Sequence, residues 1–222
     1  MTVGLVLMMT GCSPSAPTGD ALYQAAAERY YGYAADMHSV LMAVHEGEWA
    51  VDQGAYGAVP SSCQLGADEF GYFFDYARTV TIEQVDADAL SAAAVAAFKE
   101  LGLETEVATF GEGEAQEQNI IAAGGNVGRA VVTIRPATGW VRVTARPDCE
   151  PGAAADLSEM IFGGDMNRGA ALRVPATEGV DSIPQFYFPE GGPLFYDDDG
   201  TPIVPQPVVT EVPQAPYGDD TP

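Results

Sequence analysis

RAVVTIRPATGWVRVTARPDC, residues 129–149, decides how this chain folds. Two runs, 129–135 and 140–146, alternate apolar and polar residues with a period of two, as half-buried strands do. Between them, Pro136-Ala137-Thr138-Gly139 supplies turn chemistry. The pattern predicts a hairpin in which Arg135 faces Trp140, Thr133 faces Arg142 and Arg129 faces Arg146. In that register Ala130, Val132, Ile134, Val141, Val143 and Ala145 share one face. Arg129, Thr133, Arg135, Trp140, Arg142, Thr144 and Arg146 share the other. The apolar face calls for a cover of helices.

Those helices are found upstream. Leu22, Ala26, Tyr30, Tyr33, Met37, Leu41 and Val44 recur at steps of three and four, marking one face of a long helix. Asp20 reads as its N-cap and Gly47 as its end. Trp49 and the Gly54/Gly57/Pro60 cluster read as a loop leading to Cys63. Residues 70–82, rich in aromatic and β-branched side chains, read as a strand. Asp86 or Asp88 caps a second helix, with Leu90, Ala94, Ala97 and Leu101 along one side and Gly102 closing it. A strand over 105–110, a loop over 111–118 and a short strand over 119–122 follow.

Past Gly152 the character changes. Ten of the sixteen prolines fall between Pro175 and Pro222, interleaved with acids and glycines, so 153–222 reads as an acidic, mostly irregular tail. Inside it, Phe186-Tyr187-Phe188, Leu194-Phe195-Tyr196 and the turn Asp197-Asp198-Asp199-Gly200 form a patch able to fold back. The expected fold is α+β, with helices packed on one face of a small antiparallel sheet. Its strands lie near 70–82, 104–110 and 129–146, within a domain over 20–152.

With 222 residues and 47% apolar content, the chain can bury one core of ordinary size. Acids outnumber bases 32 to 9, and Lys99 is the only lysine. A net charge of -23 argues against non-specific binding to nucleic acid or to an anionic bilayer surface, because both need clustered cations.

The start of the chain reads as an address. Residues 3–9 form an apolar run far short of the roughly 20 that span a bilayer. Met9-Thr10-Gly11-Cys12 then matches a lipobox: an apolar residue, two small ones and the cysteine that takes a diacylglyceryl group. Residues 1–11 read as a truncated lipoprotein signal peptide. No Lys or Arg precedes the apolar run, which places the true start codon upstream. Residues 12–19 read as a flexible tether. With Cys12 lipidated, Cys63 and Cys149 remain as a pair able to form a disulfide across the β-rich part, which requires an oxidising compartment.

Chemistry-bearing candidates are few. His38 and His45 lie seven apart on the first helix with Glu48 nearby, but a metal site needs a third ligand and supporting contacts. They read as histidines edging the apolar stripe, and no metal or cofactor is expected. No GxSxG or comparable nucleophile arrangement occurs. Gly124-Gly125-Asn126-Val127-Gly128 is followed by neither Lys-Ser/Thr nor a helix, so it is a turn rather than a phosphate cradle. The contiguous acids at 197–199 do not reproduce the alternating ligands of a calcium loop. The arginine face of the hairpin has two readings. It is the solvated side, neutralised by acids such as Glu104 and Glu106, or it takes an anionic partner or the acidic tail through Arg129, Arg135, Trp140, Arg142 and Arg146.

The order of these features resembles the small actinobacterial lipoproteins of the mycobacterial LppA-like type. Cys12, Trp49, Cys63, the helix over 86–102, the strand over 104–110, the loop to Gly128 and the hairpin ending Asp148-Cys149 carry the resemblance, over about 12–150. It implies an envelope lipoprotein and no activity. The expected function is a non-enzymatic interaction module, anchored outside the cytoplasmic membrane through lipidated Cys12, with an envelope protein as partner. The alternatives are a small-ligand or lipid carrier, with a cavity between the first helix and the sheet, and a hydrolase, marked by a carboxylate holding His38 or His45 in a cleft.

Overall fold

The computed structural model describes residues 15–162 and 177–182. Cys12, the lipobox and the aromatic-acidic part of the tail lie outside these residues. Among the described residues, three helices, α1 (Gly19–Val44), α2 (Ala87–Glu100) and α3 (Ala154–Phe162), accompany eight strands. The strands are β1 (Trp49–Gln64), β2 (Phe70–Thr81), β3 (Glu104–Phe110), β4 (Glu117–Gly124), β5 (Gly128–Arg135), β6 (Trp140–Arg146), β7 (Glu150–Pro151) and β8 (Thr177–Glu178). They form one antiparallel sheet in the order β3-β4-β5-β6-β2-β1-β8, with β7 pairing β2. The fold is α+β, as the alternating hairpin implied.

The hairpin forms in the expected register, with Arg135 opposite Trp140, Thr133 opposite Arg142 and Arg129 opposite Arg146. Gly139 sits in its turn at φ 68°, and a Cβ there would run into the carbonyl oxygen of Ile82. Both the left-handed backbone and the close approach demand glycine. Ala130, Val132, Ile134, Val141 and Val143 are fully buried. They join a single core with the α1 stripe, whose seven expected members are all buried, and with Ala94, Ala97 and Phe98 of α2. Tyr30 and Tyr33 of α1 lie edge-on to Phe74 and Tyr76 at 5.5 and 6.0 Å between ring centres, filling the space between helix and sheet. The Tyr33 hydroxyl reaches the carbonyls of Ala145 (3.1 Å) and Phe74 (3.3 Å).

Four local expectations are corrected. Thr18, not Asp20, occupies the N-cap of α1, and Asp20 falls in the first turn, where its charge suits the helix dipole. Asp86 does cap α2, accepting from the Ala89 N–H. The glycine- and proline-bearing segment read as a loop is the 16-residue β1. Pairing with β2 overrides its weak local propensity, and two register irregularities, between Val51 and Tyr56 and between Tyr56 and Pro60, absorb the misfit. The short strand expected over 119–122 is the longer β4, held by partners on both sides.

The fourth correction concerns the tail. It was expected to be irregular from 153, but residues 154–162 form α3, and Ala154, Leu157, Met160 and Ile161 enter the core. Those positions contain no proline; the proline-rich composition farther on hides a short apolar helix. The segment 177–182 also belongs to the fold, since Glu178 and Thr177 pair with Trp49 and Ala50 of β1.

Cys63 and Cys149 form a disulfide, with Cα atoms 6.0 Å apart and a sequence separation of 86. Gly71 lies under the bridge. A Cβ at that position would stand 2.8 Å from Cys149 Sγ and would meet the Glu150 carbonyl. Cross-linking so long a loop stabilises the fold by about 4.5 kcal/mol on the chain-entropy model.

Candidate functional site

All three helices pack on one face of the sheet, and the arginine side chains of the hairpin stand on the other. Across neighbouring strands that open face is a grid. One row runs Glu117, Arg135, Trp140; the next runs Asn119, Thr133, Arg142, Thr79; a further row runs Arg129, Arg146, Asp75. The five residues expected to form an anionic-partner face, Arg129, Arg135, Trp140, Arg142 and Arg146, are brought together. Arg129, Arg142 and Arg146 border a shallow concavity of about 760 Å³ whose lining also includes Phe73, Asp75 and Thr144, while Arg135 and Trp140 lie outside it.

Three of these arginines are matched with carboxylates. Arg135 Nε donates to Glu117 at 2.9 Å, Arg146 lies 3.0 Å from Asp75, and Arg142 lies 3.5 Å from Asp52. Glu104 and Glu106, the expected counter-charges, are not among them. β4 lies between their strand and the hairpin, so acids on β1, β2 and β4 take the role instead. Arg135 stacks over Trp140 at 4.5 Å and Arg146 over Phe73 at 4.6 Å, which fixes the planes of both guanidinium groups. The Arg135 hydrogen bond holds the Glu117 carboxyl below its ordinary pKa. Exposed pairs of this kind contribute about 0–1 kcal/mol, so an incoming anion can displace them with little loss. Two polar atoms of the middle row, Arg142 Nε and Asn119 Oδ1, are buried without a hydrogen-bond partner among the described residues.

The helix-covered face carries a second charged cluster. Tyr72, Phe74 and Tyr76 point from β2 into the core, and two residues on, Arg78 continues the same phase. It is 1% exposed. Glu178, also 1% exposed, meets it from β8: Arg78 Nε donates to Glu178 Oε2 at 2.7 Å. Tyr76 OH donates to the same oxygen at 3.2 Å, and His38 Nδ1 of α1 lies 2.7 Å from Oε1. Arg78 also spans the Tyr76 ring at 4.1 Å and donates to its neighbour's carbonyl, that of Ala77. Burial alone would push the Glu178 carboxyl up, but the His38 hydrogen bond and the Arg78 charge outweigh it and lower its pKa. Burial works against the Arg78 charge too; Tyr76 and Glu178 reverse the effect and raise its pKa. Burial pushes the Tyr76 hydroxyl well above its ordinary value.

The two histidines take separate roles. His38 joins the Glu178 carboxylate, whereas the His45 carbonyl accepts from Trp49 Nε1 at 2.9 Å. An acid–histidine contact therefore exists. Its carboxylate, however, is enclosed by Arg78 and Tyr76 in the core rather than displayed in a cleft. No group of three or more His, Cys, Asp or Glu side chains is placed to hold a metal among the described residues. The glycine-rich stretch before β5 forms a single 3₁₀ turn over Gly125–Val127, as its sequence implied.

Arg78 and Glu178 escaped the sequence reading. The signal for Arg78 was present, as the one cation in an aromatic strand, in phase with three inward-facing rings. Glu178 had no local signal, because its partners lie 100 and 140 residues away. Comparisons with protein-family models, with curated proteins and with solved structures return no match.

Proposed function

We propose that this protein is a non-enzymatic interaction module of the cell envelope, lipid-anchored through Cys12 outside the cytoplasmic membrane. The proposed partner is an acidic segment of another envelope protein, taken on the open sheet face. The observation that carries this reading is the gathering of four of the nine basic residues on the sheet face opposite the described helices, in a chain with net charge -23. Guanidinium groups set on a rigid sheet match carboxylates with two parallel hydrogen bonds, and Trp140 and Phe73 hold two of them in plane. The Cys63–Cys149 disulfide supports an oxidising location. The likeness to actinobacterial lipoproteins of the LppA-like type supports the anchor. Tyr30 and Tyr33 occupy the helix–sheet space that a carrier would keep open.

Photo-crosslinking from position 144 in the native cells tests the reading. Wild-type protein should sediment with membranes and give a crosslinked species. Cys12→Ala should move it to the soluble fraction. The triple variant Arg135→Ser, Arg142→Ser, Arg146→Ser should lose the crosslink while keeping the disulfide and the circular dichroism spectrum. An undiminished crosslink in the triple variant would refute the arginine face, and membrane association of Cys12→Ala would refute the anchor.

A further inference from the structure

Thr177 and Glu178 meet the sheet as an isolated two-residue strand, and they do so at an edge. Among the described residues, the outer side of β1 is paired only at Trp49 and Ala50. Immediately after the pairing the chain turns away: Gly179 and Ser182 close a turn on themselves, through Ser182 N–H to the Gly179 carbonyl and Gly179 N–H to Ser182 Oγ, both at 2.9 Å. Among the described residues, this segment is held by two ladder positions, one buried carboxylate and the close approach of Gly179 to Glu48.

The backbone positions that carry the three groups receiving the carboxylate are set by other elements. Tyr76 and Arg78 are fixed by the pairing of β2 with β6, opposite Ala145 and Val143, and Arg78 also by Val51 of β1. His38 is carried by α1, whose flanking residues Met37 and Leu41 are fully buried. A guanidinium, a phenol and an imidazole thus converge on one point beside a sheet edge that the described residues pair at Trp49 and Ala50. Adding an extended peptide to a sheet edge, with a side-chain pocket for specificity, is a general mode of peptide recognition.

We propose that Arg78, Tyr76 and His38 form a receptor for a glutamate carried on an extended acidic peptide of another protein, and that Thr177-Glu178 is an internal occupant that keeps it closed. This site lies on the opposite side of the sheet from the arginine face and does not rest on that face having a partner. Because the internal segment is tethered, it competes at an effective concentration on the order of millimolar. An outside peptide therefore binds well only once the segment is withdrawn or its carboxylate removed.

The test uses the full chain and a fluorescent peptide with the sequence of residues 174–182, in a native version and in one with Gln at its glutamate. Fluorescence anisotropy should show the native peptide binding Glu178→Ala at least tenfold more tightly than wild type, with the Gln peptide at least tenfold weaker. Glu178→Gln, which keeps the side-chain shape, serves the same purpose if Glu178→Ala fails to fold. On wild type, excess native peptide should speed hydrogen exchange at the Gly179 and Ser182 amides. Equal binding of the two peptides, or no binding to a folded variant together with unchanged exchange in wild type, would mean a purely structural lock and overturn the proposal. A wild-type dimer that Glu178→Gln abolishes would give the receptor to a second copy of the chain and equally refute a foreign peptide.

Discussion

Arg78–Glu178 and Arg146–Asp75 are built from the same parts. Both are arginine–carboxylate pairs, at 2.7 and 3.0 Å. Both guanidinium groups also cover an aromatic ring, Tyr76 at 4.1 Å and Phe73 at 4.6 Å. Arg78 and Asp75 even lie three residues apart on β2, which sends one to the core and the other to the open face. The difference is water: the side chains of the first pair are 1% and 2% exposed, those of the second 65% and 27%. Distance alone therefore says little about what either pair contributes. In the core, neither partner can be removed without leaving a charge in a medium that cannot solvate it. On the open face, water replaces either partner at once.

Glu178→Ala should produce the largest effect, a loss of about 3–5 kcal/mol in urea unfolding, with Arg78→Ala in the same range. Replacing both by apolar residues of similar volume should recover most of that loss. If Glu178→Ala costs under about 1 kcal/mol, the two faces are energetically alike and the contrast fails.

A second measurement, the pH dependence of stability, isolates the same carboxylate. The pKa of Glu178 is lower in the folded state than its ordinary 4.5. Its contribution is therefore fully present above that value and is lost as pH falls through the folded pKa. Wild type should lose stability below about pH 4.5 more steeply than Glu178→Gln. Parallel acid limbs for the two proteins would show that this carboxyl does not report the core pair. At the alkaline end, burial holds the Tyr33 and Tyr76 hydroxyls well above their ordinary value and Tyr72 at about 12, so stability should decline again above roughly pH 10.

The smallest effect sharpens the comparison from the other side. A double-mutant cycle on Arg146 and Asp75 should give a coupling of about 0.2–1 kcal/mol. That coupling should shrink between 0.15 and 1 M salt, where the screening length falls to about 3 Å. The equivalent cycle on Arg78 and Glu178 should be larger and nearly indifferent to salt, because no ions reach it.

The legible parts of the molecule were those where one physical signal dominates. Alternation fixed the register of the hairpin down to the individual pairs, and the three-four spacing of Leu22 to Val44 named the buried face of α1. What was missed had its local signal overridden. The glycines and the proline of β1 argue for a loop, yet pairing along β2 makes a strand of them. The prolines after 175 concealed both α3 and the strand that carries Glu178. Alternation put the hairpin arginines on one face, but their counter-charges depended on strand order, which no local pattern encodes. Asp52, Asp75 and Glu117 could be named only once β4 was seen to separate β3 from β5.

The disulfide has a mechanical consequence. For any load applied between the two ends of the chain, the covalent path enters at Cys63 and leaves through Cys149, bypassing the loop closed by their sequence separation of 86. About 290 Å of extended chain is thereby withheld from stretching. Pulled at its two ends, the protein can shed α1 and part of β1 while the hairpin, α2 and the arginine face stay outside the line of force. Reducing that one bond would return all of them to it.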